Sequence, residues 1–157
     1  MRNQEVVKIF NDIADILEIK GDNPFRIRAY RRAAQNIDGL AKDVADMSVD
    51  DLHNIPGIGA DLAGKIHEYV QSGRLEFYDQ LKKAVPSGLV DLLSVPGLGP
   101  KTAKLLFDKL QIKDIDDLER HAKEGKLQGL PGIQAKTEGN ILKGIAMIKR
   151  RSGRFPL

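Results

Sequence analysis

Apolar positions recur at helical spacing along nearly the whole chain. Val6, Ile9, Phe10, Ile13, Ile16 and Leu17 form one stripe, the three-and-four repeat of an amphipathic helix. Gly21 is a natural stop for it. Asp22-Asn23-Pro24 then supplies a cap and a proline suited to a first helical position. The next helix turns Tyr30, Ala33, Ala34 and Ile37 inward and ends near Gly39. Ser48-Val49-Asp50-Asp51 reads as another start, a capping serine followed by early acids. Further helices are predicted from Leu75 to Ala84 and from Asp114 to Glu124, the latter stopping at Gly125. No stretch alternates with period two, so no sheet is expected. The pattern predicts an all-α protein of about nine or ten short helices in two small subdomains. Residues 1–84 form the first, 85–150 the second and 151–157 a tail, with the division near Val85-Pro86-Ser87.

A repeat punctuates this pattern. Ile55-Pro56-Gly57-Ile58-Gly59 returns as Val95-Pro96-Gly97-Leu98-Gly99 and, less completely, as Leu130-Pro131-Gly132-Ile133-Gln134. Each copy separates a short helix-compatible segment from a longer amphipathic one. Proline fixes φ and favours a sharp turn. The glycines allow positive φ and leave room for a close neighbour. The apolar residue between them tucks under the turn and ties the two helices together. The backbone N–H groups beyond the turn open a helix and lack intrahelical acceptors. They face outward, where a phosphate oxygen accepts them. On that reasoning Gly57, Gly59, Gly97, Gly99 and Gly132 are candidate phosphate contacts. Lys101, Lys104 and Lys136 stand just inside the second and third long helices and add charge. Asp61 takes that place in the first, and Gln134 replaces the second glycine of the third.

Composition narrows the chemistry. The chain has 157 residues, 41% of them hydrophobic, enough for an ordered core. It has no cysteine, which excludes disulfides, thiolate metal sites and cysteine nucleophiles. His53, His67 and His121 are scattered, against a histidine metal site. No apolar run reaches membrane-spanning length and no signal pattern opens the chain, so a cytoplasmic location is the default and a membrane partner is not expected. A monomer is expected. Net charge is only +3, yet it is segregated. Lys20, Arg26, Arg28, Arg31 and Arg32 face one acid, Asp22, while Lys143, Lys149, Arg150, Arg151 and Arg154 face none. Such clustering suits either a basic face for a polyanion or two solvated helix faces.

Paired glycine turns in tandem resemble the helix-hairpin-helix modules that bind DNA without sequence preference. The order of parts carries the likeness further. The N-terminal helix, the run Phe25-Arg26-Ile27-Arg28-Ala29-Tyr30-Arg31-Arg32-Ala33-Ala34, the first hairpin and Lys65 resemble the amino-terminal region of family X DNA polymerases. The bacterial and archaeal members, with a third hairpin, are the nearest in layout, and the likeness runs from Met1 to about Arg154. It implies a first domain that holds the 5′ phosphate of gapped or nicked DNA and a second that grips the duplex beyond the gap. It implies phosphate contacts at Arg26, Arg28 and Tyr30. Tyr30 also has a plain core reading from its spacing to Ala33, Ala34 and Ile37.

The resemblance maps the family's lyase nucleophile onto Lys65, which sits at the edge of an apolar stripe between Leu62 and Tyr69. A lysine there either snorkels from the helix edge or offers its amine to an aldehyde as a Schiff base. Gly64 and Asp61 depart from the glutamate and lysine of lyase-competent relatives. Enzymic activity is thus left open: a lyase for abasic or 5′-deoxyribose-phosphate ends, or none. No polymerase activity is expected of the chain alone, because the carboxylates that hold magnesium are missing. Asp114-Ile115-Asp116-Asp117 instead stands in a helix-start context. The chain ends at Phe155-Pro156-Leu157, where the relatives continue into their nucleotidyl-transfer domain, so an excised fragment or a stand-alone homologue is expected. No cofactor is required. The resemblance implies a monovalent cation, Na+ or K+, on the main-chain carbonyls of His53, Ile55 and Ile58 and of Leu93, Val95 and Leu98. A helical scaffold for a protein partner is the remaining alternative.

Overall fold

The structure is a computed structural model that describes residues 2–152, the side chains of Ser87, Arg151 and Ser152 excepted. Met1 and Gly153–Leu157, which include most of the predicted tail and Arg154 of the basic run, lie outside the described residues. Nine α-helices and three 3-10 turns make up the described fold, and no strand occurs among the described residues. No helix among them is long and apolar enough to cross a membrane. By its internal contacts the chain divides into two units between Ala84 and Val85.

The first unit is built on α1 (Arg2–Lys20) and α2 (Pro24–Asp38). Gly21, at φ 74°, ends α1: its N–H and that of Asp22 donate to the Glu18 and Leu17 carbonyls, closing the open end of the helix. Asn23 then caps α2, its Oδ1 accepting from the Phe25 N–H at 2.8 Å. The facing stripes interlock. Phe10, Ile13, Ile16 and Leu17 of α1 are fully buried with Tyr30, Ala33 and Ile37 of α2. Asn3 is buried too, and holds the following loop by donating to Lys42 O at 2.9 Å and accepting from Val44 N–H at 2.8 Å. A 3-10 turn at Val44–Asp46 leads to α3 (Val49–His53), α4 (Ala60–Ser72) and α5 (Glu76–Ala84). Ser48 and Asp51 cap α3 reciprocally, side chain to backbone in both directions.

The second unit comprises α6 (Ser87–Asp91), a 3-10 turn at Leu92–Ser94, α7 (Pro100–Leu110), α8 (Ile115–Lys123), a 3-10 turn at Lys126–Gly129 and α9 (Ala135–Ser152). Its core gathers Leu89, Leu92, Val95, Ala103, Leu106, Ile112, Leu118, Leu127 and Ile145. Two glycines make the packing possible. A Cβ on Gly88 would lie 2.6 Å from both the Lys113 carbonyl oxygen and Asp114 Cβ. A Cβ on Gly144 of α9 would lie 2.9 Å from Pro96 Cδ, so α9 passes directly against the turn of the second hairpin. The acids at the start of α8 are a cap: Asp114 Oδ1 accepts from Asp117 N–H at 2.7 Å.

Candidate nucleic-acid interface

Three turns share one construction. In the first, Ile55 N–H donates to Leu52 O (3.1 Å) and Ile58 N–H to Ile55 O (3.0 Å). The second repeats this with Val95 to Leu92 (3.1 Å) and Leu98 to Val95 (3.0 Å). The third does so with Leu130 to Leu127 (3.1 Å) and Ile133 to Leu130 (3.2 Å). Gly57, Gly97 and Gly132 follow the prolines at φ 82°, 84° and 80°, the left-handed region that suits glycine. Ile58, Leu98 and Ile133 are buried beneath their turns. Although Gln134 replaces a glycine, the third turn keeps the geometry of the others.

The second glycine of the pair departs from the sequence reading. Gly59 and Gly99 have φ of −88° and −93° with extended ψ, a conformation open to any residue. A Cβ on either would meet nothing within 4 Å. Neither backbone strain nor packing within the chain therefore calls for glycine there. Both residues are N-caps without a capping side chain. The first backbone bonds beyond them are Ala63 N–H to Gly59 O (2.9 Å) and Ala103 N–H to Gly99 O (3.0 Å). Among the described residues, the N–H groups of Gly59, Ala60, Asp61 and Leu62, and of Gly99, Lys101 and Thr102, have no acceptor. They leave two helix starts with open donors and no capping side chain.

The main-chain carbonyls of the first two turns are only partly used. His53, Ile58, Leu93 and Leu98 accept no backbone hydrogen bond among the described residues, while Ile55 and Val95 each accept one and keep a second lone pair. Each of these six carbonyls thus keeps a lone pair that no backbone N–H uses.

The predicted basic residues sort into several environments. Lys101 and Lys136 are exposed at the second positions of α7 and α9, and Lys104 is half-buried one turn on. Arg26 lies 3.6 Å from Asp22 and places its guanidinium 4.9 Å from the centre of the Phe77 ring. Arg28 covers Phe25, the most exposed large apolar side chain of the described chain. Lys149 departs from the sequence reading. Counted in a basic run, it is buried beside Glu119 (2.7 Å) and Asp116 (3.2 Å), and its hydrogen bond to Glu119 raises its pKa. Arg31 is likewise engaged by Asp15 at 2.9 Å.

Lys65 and Tyr30 come together around Phe77. The Lys65 amine is 5.0 Å from the Phe77 ring centre and bonds Asp61 Oδ1 at 2.7 Å. Its side chain is 16% exposed against 78% for Asp61. Tyr30 stacks on Phe77 and meets the Phe10 ring edge-on. It is 2% exposed, and its hydroxyl makes no hydrogen bond of good geometry, although Arg26 lies close enough to interact with it, an uncommon state for a buried polar group. Burial pushes that hydroxyl up to about 12, the Asp61 charge adding to the shift and Arg26 opposing it.

Residues 1–75 match the family model of a helix-hairpin-helix domain, and residues 89–146 that of a SAM-like helix-hairpin-helix tandem. The fold is a tandem of helix-hairpin-helix motifs. The DNA polymerase/3′-5′ exonuclease PolX of Bacillus subtilis is 34% identical over all of this chain, which spans 27% of that protein. DNA polymerase lambda of Rattus norvegicus is 28% identical over 67% of the chain and 18% of its own length. The helix-hairpin-helix domains are homologous to the N-terminal region of family X polymerases. The chain thus covers about a quarter of the length of the PolX relative.

Two contacts at the first helix-hairpin-helix escaped the sequence reading, which placed Arg32 only in a basic cluster and gave Asn36 no role. Asn36 of α2 donates its Nδ2–H to Pro56 O at 2.5 Å. Arg32 of α2 crosses the turn, its Nε 3.2 Å from where a Gly57 Cβ would stand. Local periodicity carries no signal for contacts so distant along the chain.

Proposed function

We propose that this chain binds DNA without sequence preference, holding backbone phosphates through its hairpins, as the N-terminal DNA-binding part of a family X repair polymerase. Gapped or nicked duplex is the substrate this reading favours. The observation that carries it is the recurrence of one glycine turn before helix starts whose amides lack acceptors. A phosphate there gains hydrogen bonds from neutral amides, a favourable helix dipole and nearby lysines. None of these contacts reads a base, so affinity is set by charge and shape rather than sequence. A bound Na+ or K+ would be held by the carbonyls of His53, Ile55 and Ile58, or of Leu93, Val95 and Leu98, and would supply positive charge beside the phosphate.

The test is a salt titration of a gapped duplex. If about 4–6 phosphates are neutralised, log K against log salt should fall with a slope of about −4 to −5. Duplexes of different sequence should give the same line. A slope near zero, or strong preference for one sequence, would overturn the reading.

A second reading is favoured by one observation: a buried Tyr30 hydroxyl near Arg26, on the same Phe77 ring that Lys65 contacts. An anionic oxygen of a 5′ end would accept from that hydroxyl once the side chains over it move aside, since it has no exposed surface in this structure. Lys65 would then be near an adjoining abasic aldehyde. The step requires the amine to release its proton, leave Asp61, and attack the aldehyde carbon with loss of water to give a Schiff base. Borohydride reduction should trap a protein–DNA adduct on 5′-deoxyribose-phosphate ends, and Lys65→Ala should abolish it. Equal trapping by Lys65→Ala would remove Lys65 from the reaction.

A further inference from the structure

The three hairpins are not charged alike. The second residue of the following helix is Lys101 after the second turn and Lys136 after the third. After the first turn it is Asp61, whose exposed carboxylate would repel a phosphate seated on the neighbouring amides. Helix α2 brings a different cation to that corner. Arg32 lays its side chain across the turn, with Nε 3.2 Å and Cδ 3.3 Å from the position of a Gly57 Cβ. One helical turn later, Asn36 donates to Pro56 O and pins the turn to the same face of α2. The other bases of α2 make contacts away from this turn. Arg31 is paired with Asp15 and lies 3.8 Å from Glu18, Arg26 is near Asp22 and Phe77, and Arg28 covers Phe25. Arg32 is exposed and has no carboxylate partner among the described residues.

We infer that Arg32 is the phosphate-binding cation of the first hairpin, supplied from α2 in place of the helix lysine that the other two hairpins carry. The inference rests on the DNA-binding reading above and adds a contact to it. A guanidinium suits the task, because its planar fork can donate two parallel bonds to phosphate oxygens. The glycine at position 57 serves both parts of the corner. It supplies the left-handed turn, and a Cβ there would crowd both Asn36 Nδ2 at 3.1 Å and Arg32 Nε at 3.2 Å.

The experiment compares salt titrations of the full chain on a 5′-phosphorylated gapped duplex. Arg32→Ala should lower the magnitude of the slope by about 0.9, the loss of one neutralised phosphate. Arg31→Ala, which removes a guanidinium already paired with acids, should leave the slope unchanged. Asp61→Lys should restore the lost slope in the Arg32→Ala chain and add less to the parent, because both cations would then serve one phosphate. A parent that binds with the expected slope, joined by an Arg32→Ala chain with the same slope, would overturn the inference and leave the DNA-binding reading standing. Strictly additive effects of Arg32→Ala and Asp61→Lys would also overturn it, by assigning them to separate phosphates. A parent that fails to bind would overturn the underlying reading instead. Melting curves of each variant, monitored by circular dichroism, check that the fold is kept.

Discussion

Valine in place of Gly88 is expected to lower the melting temperature of the second unit by about 12–24 °C. A Cβ at position 88 would meet the Lys113 carbonyl oxygen and Asp114 Cβ at 2.6 Å each, and Asp114 Cα at 3.1 Å. Two of these atoms are backbone, so no rotamer change relieves the clash. Asp114 is also the cap of α8, held by its bond to Asp117 N–H at 2.7 Å. Relief therefore means either shifting α6 or pulling the cap away from α8. Overpacking that the backbone has to absorb costs about 3 kcal/mol. For a unit of this size each kcal/mol moves the midpoint by about 4–8 °C. Gly139→Ala is the control of opposite sign. It lies within α9 with nothing within 4 Å of its Cβ, and alanine there should add up to about 1 kcal/mol from helix propensity. Thermal melts of the full chain at 222 nm decide the matter. A Gly88→Val curve within a few degrees of the parent would mean that α6 and α8 are not packed as described.

Gly88 also marks where sequence reading reaches its limit. The helices themselves were legible, because each is written locally. Gly21, Asn23-Pro24, Ser48 with Asp51, and Asp114 with Asp117 are stops and caps whose chemistry acts within a few residues. The hairpins were legible for a related reason: a left-handed turn position admits few residues, so Gly57, Gly97 and Gly132 stand out without any partner in view. Contacts across the fold leave no such mark. Lys149 reads as one more base in a basic run, yet it lies buried between Glu119 and Asp116. Arg31 and Arg32 are adjacent and chemically identical, and only packing assigns one to Asp15 and the other to the turn at Gly57. Tyr30 was legible as core from its spacing, but its ring stacking and the shared contact with Lys65 follow from where Phe77 arrives, 47 positions later in the chain. Gly59 and Gly99 were legible as a motif, but the positive φ read for them is absent, and what is left of that reading is the open space around them.

That emptiness yields the largest functional effect expected of this chain. Gly59→Val and Gly99→Val together should weaken binding to a gapped duplex by about 100-fold or more, equally for every sequence tested. The side chains would project into open space, since nothing lies within 4 Å of either Cβ, and both backbones are already extended. The fold should lose only about 1 kcal/mol per site, the preference of the N-cap for glycine over an apolar residue. Binding should suffer far more. A valine at the N-cap stands over the first amides of α4 and α7, where a phosphate would have to come within about 3 Å. Hydrogen bonds to a charged group contribute about 1.5–3 kcal/mol each, and losing one at each hairpin already accounts for the expected factor. Gln134 gives an internal comparison, because the third hairpin carries a side chain at this position with its turn intact. Gly99→Gln should therefore keep the fold of the second hairpin while weakening its hold on phosphate. Parallel measurement of melting temperature and affinity separates the two effects. If affinity survives in a chain that still melts like the parent, the open amides of α4 and α7 do not grip the backbone, and the glycines are there for a reason that lies outside phosphate binding.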